Sequence, residues 1–130
     1  MILVDTSVWI GLLNGPFRRG GISDDDLAGF VTCGPIAQEV LQGLRPVPAS
    51  LAFRKAFLSL TKIGEPLAIS TFLSAADIYA DGRSRGLTIR SGMDCLIAAI
   101  AIENNVPVWH QDRDFTAIAK YTRLRVVAPH

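Results

Sequence analysis

Short apolar runs alternate along this chain with stretches of helical pattern, and that alternation makes it an α/β protein with a parallel sheet. Two stretches sharpen the assignment. Ile2, Leu3 and Val4 form a continuous apolar run of the kind buried on both faces of a parallel sheet, and the run stops abruptly at an acid, Asp5. Cys95 to Ile102 is apolar at every position, so a helix there is enclosed on all sides and belongs at the centre of the fold. With 130 residues, the chain 1–130 is expected to be a single domain burying roughly two thirds of its unfolded surface.

The first strand, Ile2 to Val4, leads through Asp5 into a helix capped or opened by Thr6 and Ser7 and continued by Val8, Trp9, Ile10, Leu12 and Leu13. Asn14 to Gly21 is a glycine-rich loop carrying Arg18 and Arg19. Ser23 to Asp26 reads as a capped helical turn whose acids favour a positive helix end, and Phe30 to Cys33 is a short strand. Pro35 fits the first turn of a helix whose apolar positions Ile36, Ala37, Val40, Leu41 and Leu44 recur at helical period, with Glu39 about one turn inside. Pro46 and Pro48 end that helix, and Ala49 to Lys62 is expected to form another. Leu67 to Ser70 is a brief strand or a turn, after which Thr71 caps a helix running to about Arg85, with Asp77, Asp81 and Arg85 spaced for surface pairing. Ser91 to Asp94 opens the central apolar helix, and Val106 to Trp109 is a strand, with Pro107 unsuited to an interior ladder. A short helix near Thr116 to Tyr121 and a last strand from Arg125 to Ala128 complete the chain.

An apolar fraction of 49% is high, yet no run of about 18 apolar residues exists, so a membrane span is not expected. The N-terminus lacks the basic segment of a signal peptide, which points to the cytoplasm. Cys33 and Cys95 form no CxxC pair and are expected as buried free thiols. The net charge of +1 is uninformative alone, but gathering four acids into one pocket leaves an excess of five positive charges elsewhere, which suits a polyanionic substrate.

Four acids stand at comparable places. Asp5 follows the first strand, Asp112 follows the strand ending at Trp109, Asp94 begins the central helix, and Glu39 lies one turn beyond a strand end with a longer reach. In a parallel α/β fold, strand carboxyl ends and the following helix N-termini share one edge, where ligands bind. Each acid has a structural alternative: Asp5 and Asp112 as helix caps, Asp94 in a Ser-x-x-Asp capping box with Ser91, and Glu39 solvated or paired with Arg45. For Asp94 a cap and a ligand role are compatible. If the acids meet, two carboxylates about 4 Å apart repel by roughly 4 kcal/mol at an effective dielectric near 20. Either some pKa values rise or a divalent ion neutralises the group, and an all-oxygen set suits Mg²⁺ or Mn²⁺. Asp114 is a plausible outer acid or helix-start residue, His110 at a strand end is expected to be structural, and Thr6, Ser7 and Ser91 are placed to hold carboxylates through their hydroxyls.

These motifs, Ile2 to Ile10, Thr32 to Gly43 around Glu39, Ser91 to Ala99 and His110 to Phe115, closely resemble PIN-domain ribonucleases, and their order and spacing resemble the VapC toxins of toxin-antitoxin pairs. By position Asp5, Glu39, Asp94 and Asp112 match the family's acidic quartet, with Asp114 as a fifth acid. Gly92 departs from the bulkier residue often found there. The resemblance implies a three-layer α/β/α fold that binds Mg²⁺ or Mn²⁺ and hydrolyses RNA. It also implies a homodimer silenced by a cognate antitoxin, whose C-terminal segment lies in a groove leading to the acids.

A receiver-type signalling domain would want adjacent acids after the first strand and a late lysine, a haloacid-type phosphatase would want Asp-x-Asp where Ser7 stands, and no GxxxxGK phosphate loop is present. The stronger alternative is a PIN-like binding module, paired with a DNA-binding partner and cleaving little or no RNA.

Overall fold

A computed structural model describes residues 1–18 and 23–127. Its sheet has five parallel strands in the order β3-β2-β1-β4-β5: β1 Ile2–Val4, β2 Phe30–Thr32, β3 Thr61–Lys62, β4 Val108–Trp109 and β5 Val126–Val127. Six helices flank it: α1 Thr6–Asn14, α2 Gly34–Gln42, α3 Pro48–Leu58, α4 Ile69–Ser84, α5 Gly92–Glu103 and α6 Arg113–Ala119. This is the expected three-layer α/β/α arrangement around a central parallel sheet. Among the described residues no helix is long and apolar enough to cross a membrane.

β1 is the middle strand. Leu3 and Val4 are fully buried, and β1 pairs with β2 on one side and β4 on the other. The chain first steps outward from β1 to β2 and β3, then returns to lay β4 against β1 and continues to β5. That reversal opens a crevice between the carboxyl ends of β1 and β4. Asp5 leaves β1 there, its amide bonded to Trp109 O at 2.9 Å. Pro107 precedes β4, where only its carbonyl is needed, accepting from Leu3 N at 2.9 Å.

α5 is enclosed as its composition requires: Ile97, Ala98, Ile100 and Ala101 are all fully buried. It packs most extensively on α4, pinned by Thr71 Oγ1 donating to Glu103 Oε2 at 2.8 Å. Gly82 lets α4 pass close to Tyr121, since a Cβ there would stand 2.6 Å from the tyrosine hydroxyl. Gly92 begins α5 with open space around it, so the missing side chain leaves a regular helix start. Beside α1, Trp9 meets Phe30, Phe53 and Phe57 edge to face, with centroids 5.8, 5.8 and 5.1 Å away.

Four local expectations need correction. The helix expected over Ala49–Lys62 starts at Pro48 and stops at Leu58, and Thr61–Lys62 is instead the edge strand β3. Two exposed residues carry no alternation, so only pairing with β2 reveals that strand. No strand forms at Leu67–Ser70; α4 begins at Ile69 with Ala68 as its cap, and Thr71 turns inward to Glu103 rather than capping. α6 begins at Arg113, three residues earlier than expected, because Asp112 caps it. Arg85 lies over the Tyr121 ring, 5.4 Å from its centroid. Ser23 and Asp26 do bind each other, Ser23 N donating to Asp26 Oδ2 at 2.8 Å around the turn Asp25–Leu27. Arg19 to Gly21 of the loop and Ala128 of the last strand lie outside the described residues.

Candidate metal centre

All four sequence-selected acids stand along the carboxyl edge of the sheet, each in a different local device. Asp5 caps α1, its Oδ2 accepting from Ser7 N at 3.1 Å and Ser7 Oγ at 2.6 Å. Ser7 Oγ in turn accepts from Gln111 N at 3.0 Å, which ties the β1–α1 turn to the loop after β4. Glu39 does not depend on Arg45: its Oε1 accepts from Thr6 Oγ1 at 3.1 Å, beside Asp5. Thr6 and Ser7 thus hold carboxylates as their hydroxyls suggest.

Asp94 resolves the capping question in an informative way. Its amide donates to Ser91 Oγ at 3.4 Å, which is half of a capping box. The other half is missing, because Ser91 N donates to Asp114 Oδ2 at 3.0 Å. The Asp94 carboxylate is therefore released from capping, and its Oδ2 is buried with no partner among the described residues. Asp114 is 3% exposed and also accepts from Arg90 N at 3.1 Å on both oxygens, fastening the start of α5 to that of α6. Asp112 caps α6, its Oδ1 accepting from Asp114 N at 2.9 Å.

One oxygen from each of Asp94, Asp112 and Asp114 lies within 4.8 Å of the others. Asp114, expected in a supporting place, is thus inside the tight group, whereas Asp5 lies outside it but close enough for its charge to act on Asp94, and Glu39 is joined to the edge through Thr6. The Asp-x-Asp spacing at a helix start was the available signal: the cap and the residue two positions on both face the preceding helix's entry. Crowding has a measurable consequence. Burial, a hydrogen bond with the Asp114 carboxyl, and the charges of Asp112 and Asp5 push the Asp94 pKa up to about 9. Burial likewise raises the Cys33 and Cys95 thiols to about 11, so neither offers a thiolate at neutral pH. Hard carboxylate oxygens without thiolate, one of them buried and unpaired, fit a divalent cation such as Mg²⁺ or Mn²⁺.

His110 is 2% exposed, and its Nδ1 accepts from Asp112 N at 3.1 Å. Burial holds its pKa below the usual imidazole range, against the opposing pull of Asp5 and Asp112. Arg90, whose amide donates to Asp114, and Arg113, between Asp112 and Asp114 in sequence, are exposed. A cleft of about 680 Å³ includes Glu39 in its lining, together with Trp9, Leu13, Phe53, Arg18 and Arg45.

Comparison with known proteins adds what geometry alone does not. The PIN domain family model matches residues 2–121. The chain is 33% identical over 133 aligned positions to VapC ribonuclease Mb1587 of Mycobacterium bovis, covering 98% of each chain. It matches Ribonuclease VapC11 of Mycobacterium tuberculosis to the same 33% and 98% coverage. Among solved structures, the fold resembles a chain of VapBC2 from Rickettsia felis, described as bound to a DNA fragment from their promoter, with a TM-score of 0.71, 16% identity and full coverage of both chains.

Proposed function

The chain belongs to the PIN-domain family, among its VapC-type ribonuclease toxins, and from that premise we propose that it is a divalent-metal-dependent endoribonuclease that hydrolyses RNA phosphodiester bonds and is silenced by a cognate antitoxin. The observation that carries this reading is the meeting of Asp94, Asp112 and Asp114 within 4.8 Å, with Asp94 Oδ2 buried and unpaired.

Asp94 and Asp112 would hold the cation, with Asp114 bracing them and Asp5 and Glu39 contributing further acidic groups at the same edge. Mg²⁺ or Mn²⁺ bound there supplies an activated water and charge stabilisation at the scissile phosphate. Asp5, kept in place by Ser7, and Glu39, kept in place by Thr6, are assigned to the same edge as proton acceptors and electrostatic guides. The N-termini of α1 and α5 point their positive ends at the same edge, which offsets part of the carboxylate repulsion and favours a phosphate. Arg90 and Arg113, exposed beside the acids, suit an RNA backbone.

The antitoxin segment fits the cleft that Glu39 helps to line, where apolar residues stand together with Arg18 and Arg45. Exposed Ile69, Phe72 and Leu73 on one face of α4 support pairing with a second copy. A cytoplasmic site of action goes with this reading.

Inducible expression in a bacterium of wild type and Asp94→Asn tests the reading without choosing a substrate. Growth arrest with discrete new RNA 5′ ends from wild type alone is the expected result. No new ends from either folded protein would favour the binding-module alternative.

A further inference from the structure

His110 occupies a buried position that a hydrocarbon side chain would fill at lower cost. Its ring packs against Phe115, centroids 5.4 Å apart, and its own amide donates to Val127 O at 3.0 Å, so strand end and ring are both immobilised. Its Nε2 is buried with no partner among the described residues, which is expensive for a polar atom. What the imidazole supplies in return is Nδ1, the acceptor for the amide of Asp112 at 3.1 Å. That contact closes the same ring as an Asx turn, in which a side-chain acceptor takes the amide two residues on.

We propose that His110 is a positioning residue: its unprotonated Nδ1 holds the Asp112 peptide so that the Asp112 carboxylate stands within cation-binding distance of Asp94 and Asp114. The preceding amide, Gln111 N, is held by Ser7 Oγ, which also donates to Asp5. Consecutive peptides after β4 are thus each gripped by a side chain, and through Ser7 the frame includes the acid after β1. A proton on Nδ1 would set donor against donor, so the bond requires the neutral Nε2–H tautomer. The inference rests on the metal-dependent reading above, and it adds a residue that touches neither metal nor substrate.

The test compares wild type, His110→Phe and His110→Asn by MnCl2 titration, by hydrogen exchange at the Asp112 amide and by thermal unfolding. Phenylalanine keeps the ring and removes both nitrogens; asparagine restores the acceptor without the ring. The expected result is a folded His110→Phe protein whose Asp112 amide exchanges faster and whose Mn²⁺ Kd rises about tenfold or more, the scale of losing an outer partner of a metal ligand. His110→Asn regains most of both. Wild-type affinity in His110→Phe overturns the inference alone, whereas a wild type that binds no Mn²⁺ overturns the metal reading and the inference with it. Long-range ¹H–¹⁵N spectra of the wild type need no substitution: a proton on Nδ1 would contradict the proposal, and a bare Nδ1 supports it.

Discussion

Asp5 and Trp9 are four residues apart, yet they belong to regions governed by opposite rules. Trp9 points into a cluster with partly buried Phe30 and fully buried Phe53 and Phe57, where the rings meet edge to face and, apart from an indole N–H with no partner among the described residues, the contacts favour the folded state. Asp5 adds its charge to the neighbourhood of Asp94, Asp112 and Asp114, where like charges crowd, one buried carboxylate oxygen has no partner among the described residues, and the Asp94 pKa is pushed up to about 9. The first region stabilises the fold and has no chemistry. The second strains it and is disposed toward a cation. Their adjacency on one strand-helix unit means that the aromatic cluster anchors the same turn that the acids load.

The largest expected effect belongs to the aromatic side. Phe57→Ala should lower unfolding free energy by about 3–5 kcal/mol, as deletion of a buried ring does. Urea denaturation measures it, and Mn²⁺ affinity of the remaining folded protein should be unchanged; a parallel loss of affinity would show that the two regions are not separable. Asp114→Ala comes next. It strips the Arg90 and Ser91 amides of their acceptor, so a loss of about 1–3 kcal/mol is expected. Unlike the Phe57 variant, it should also weaken Mn²⁺ binding in calorimetric titration.

Asp94→Asn acts with the opposite sign, and its effect is small only at the acidic end of the range, near pH 5. The folded protein holds the Asp94 proton up to about pH 9, whereas an unfolded chain releases it near 4. Between those values the folded state binds more protons, so the Asp94 contribution to metal-free stability falls as pH rises. The substitution should therefore raise the metal-free thermal midpoint, more at pH 8 than at pH 5, while abolishing stabilisation by Mn²⁺. In wild type a cation competes with that proton, so its stabilising effect should grow with pH. A midpoint lowered at every pH would instead make Asp94 chiefly a structural residue.

Much of this was legible in the chain because it is written locally. The Ile2–Val4 run, the all-apolar Cys95–Ile102 stretch and the alternation of elements each announce themselves within a few residues, and they suffice for the parallel α/β arrangement. Asp5, Asp94 and Asp112 were found because each follows a strand end or opens a helix. β3 was not, since two exposed residues acquire strand identity only by pairing with Val31 and Thr32. Thr71 reads as a cap in sequence because its actual partner, Glu103, is 32 residues away.

Sequence by itself determined the fold class, the edge at which the acids gather and the family motifs, because hydrophobic period and helix-start chemistry are properties of neighbouring residues. Only the tertiary structure decided what each polar group is free to do. Ser91 gives its amide to Asp114 and so releases Asp94; His110 spends its one acceptor on Asp112; Glu39 turns to Thr6 instead of Arg45. A hydrogen bond made to one partner is withheld from every other, and that choice is settled in space between segments the chain itself keeps far apart.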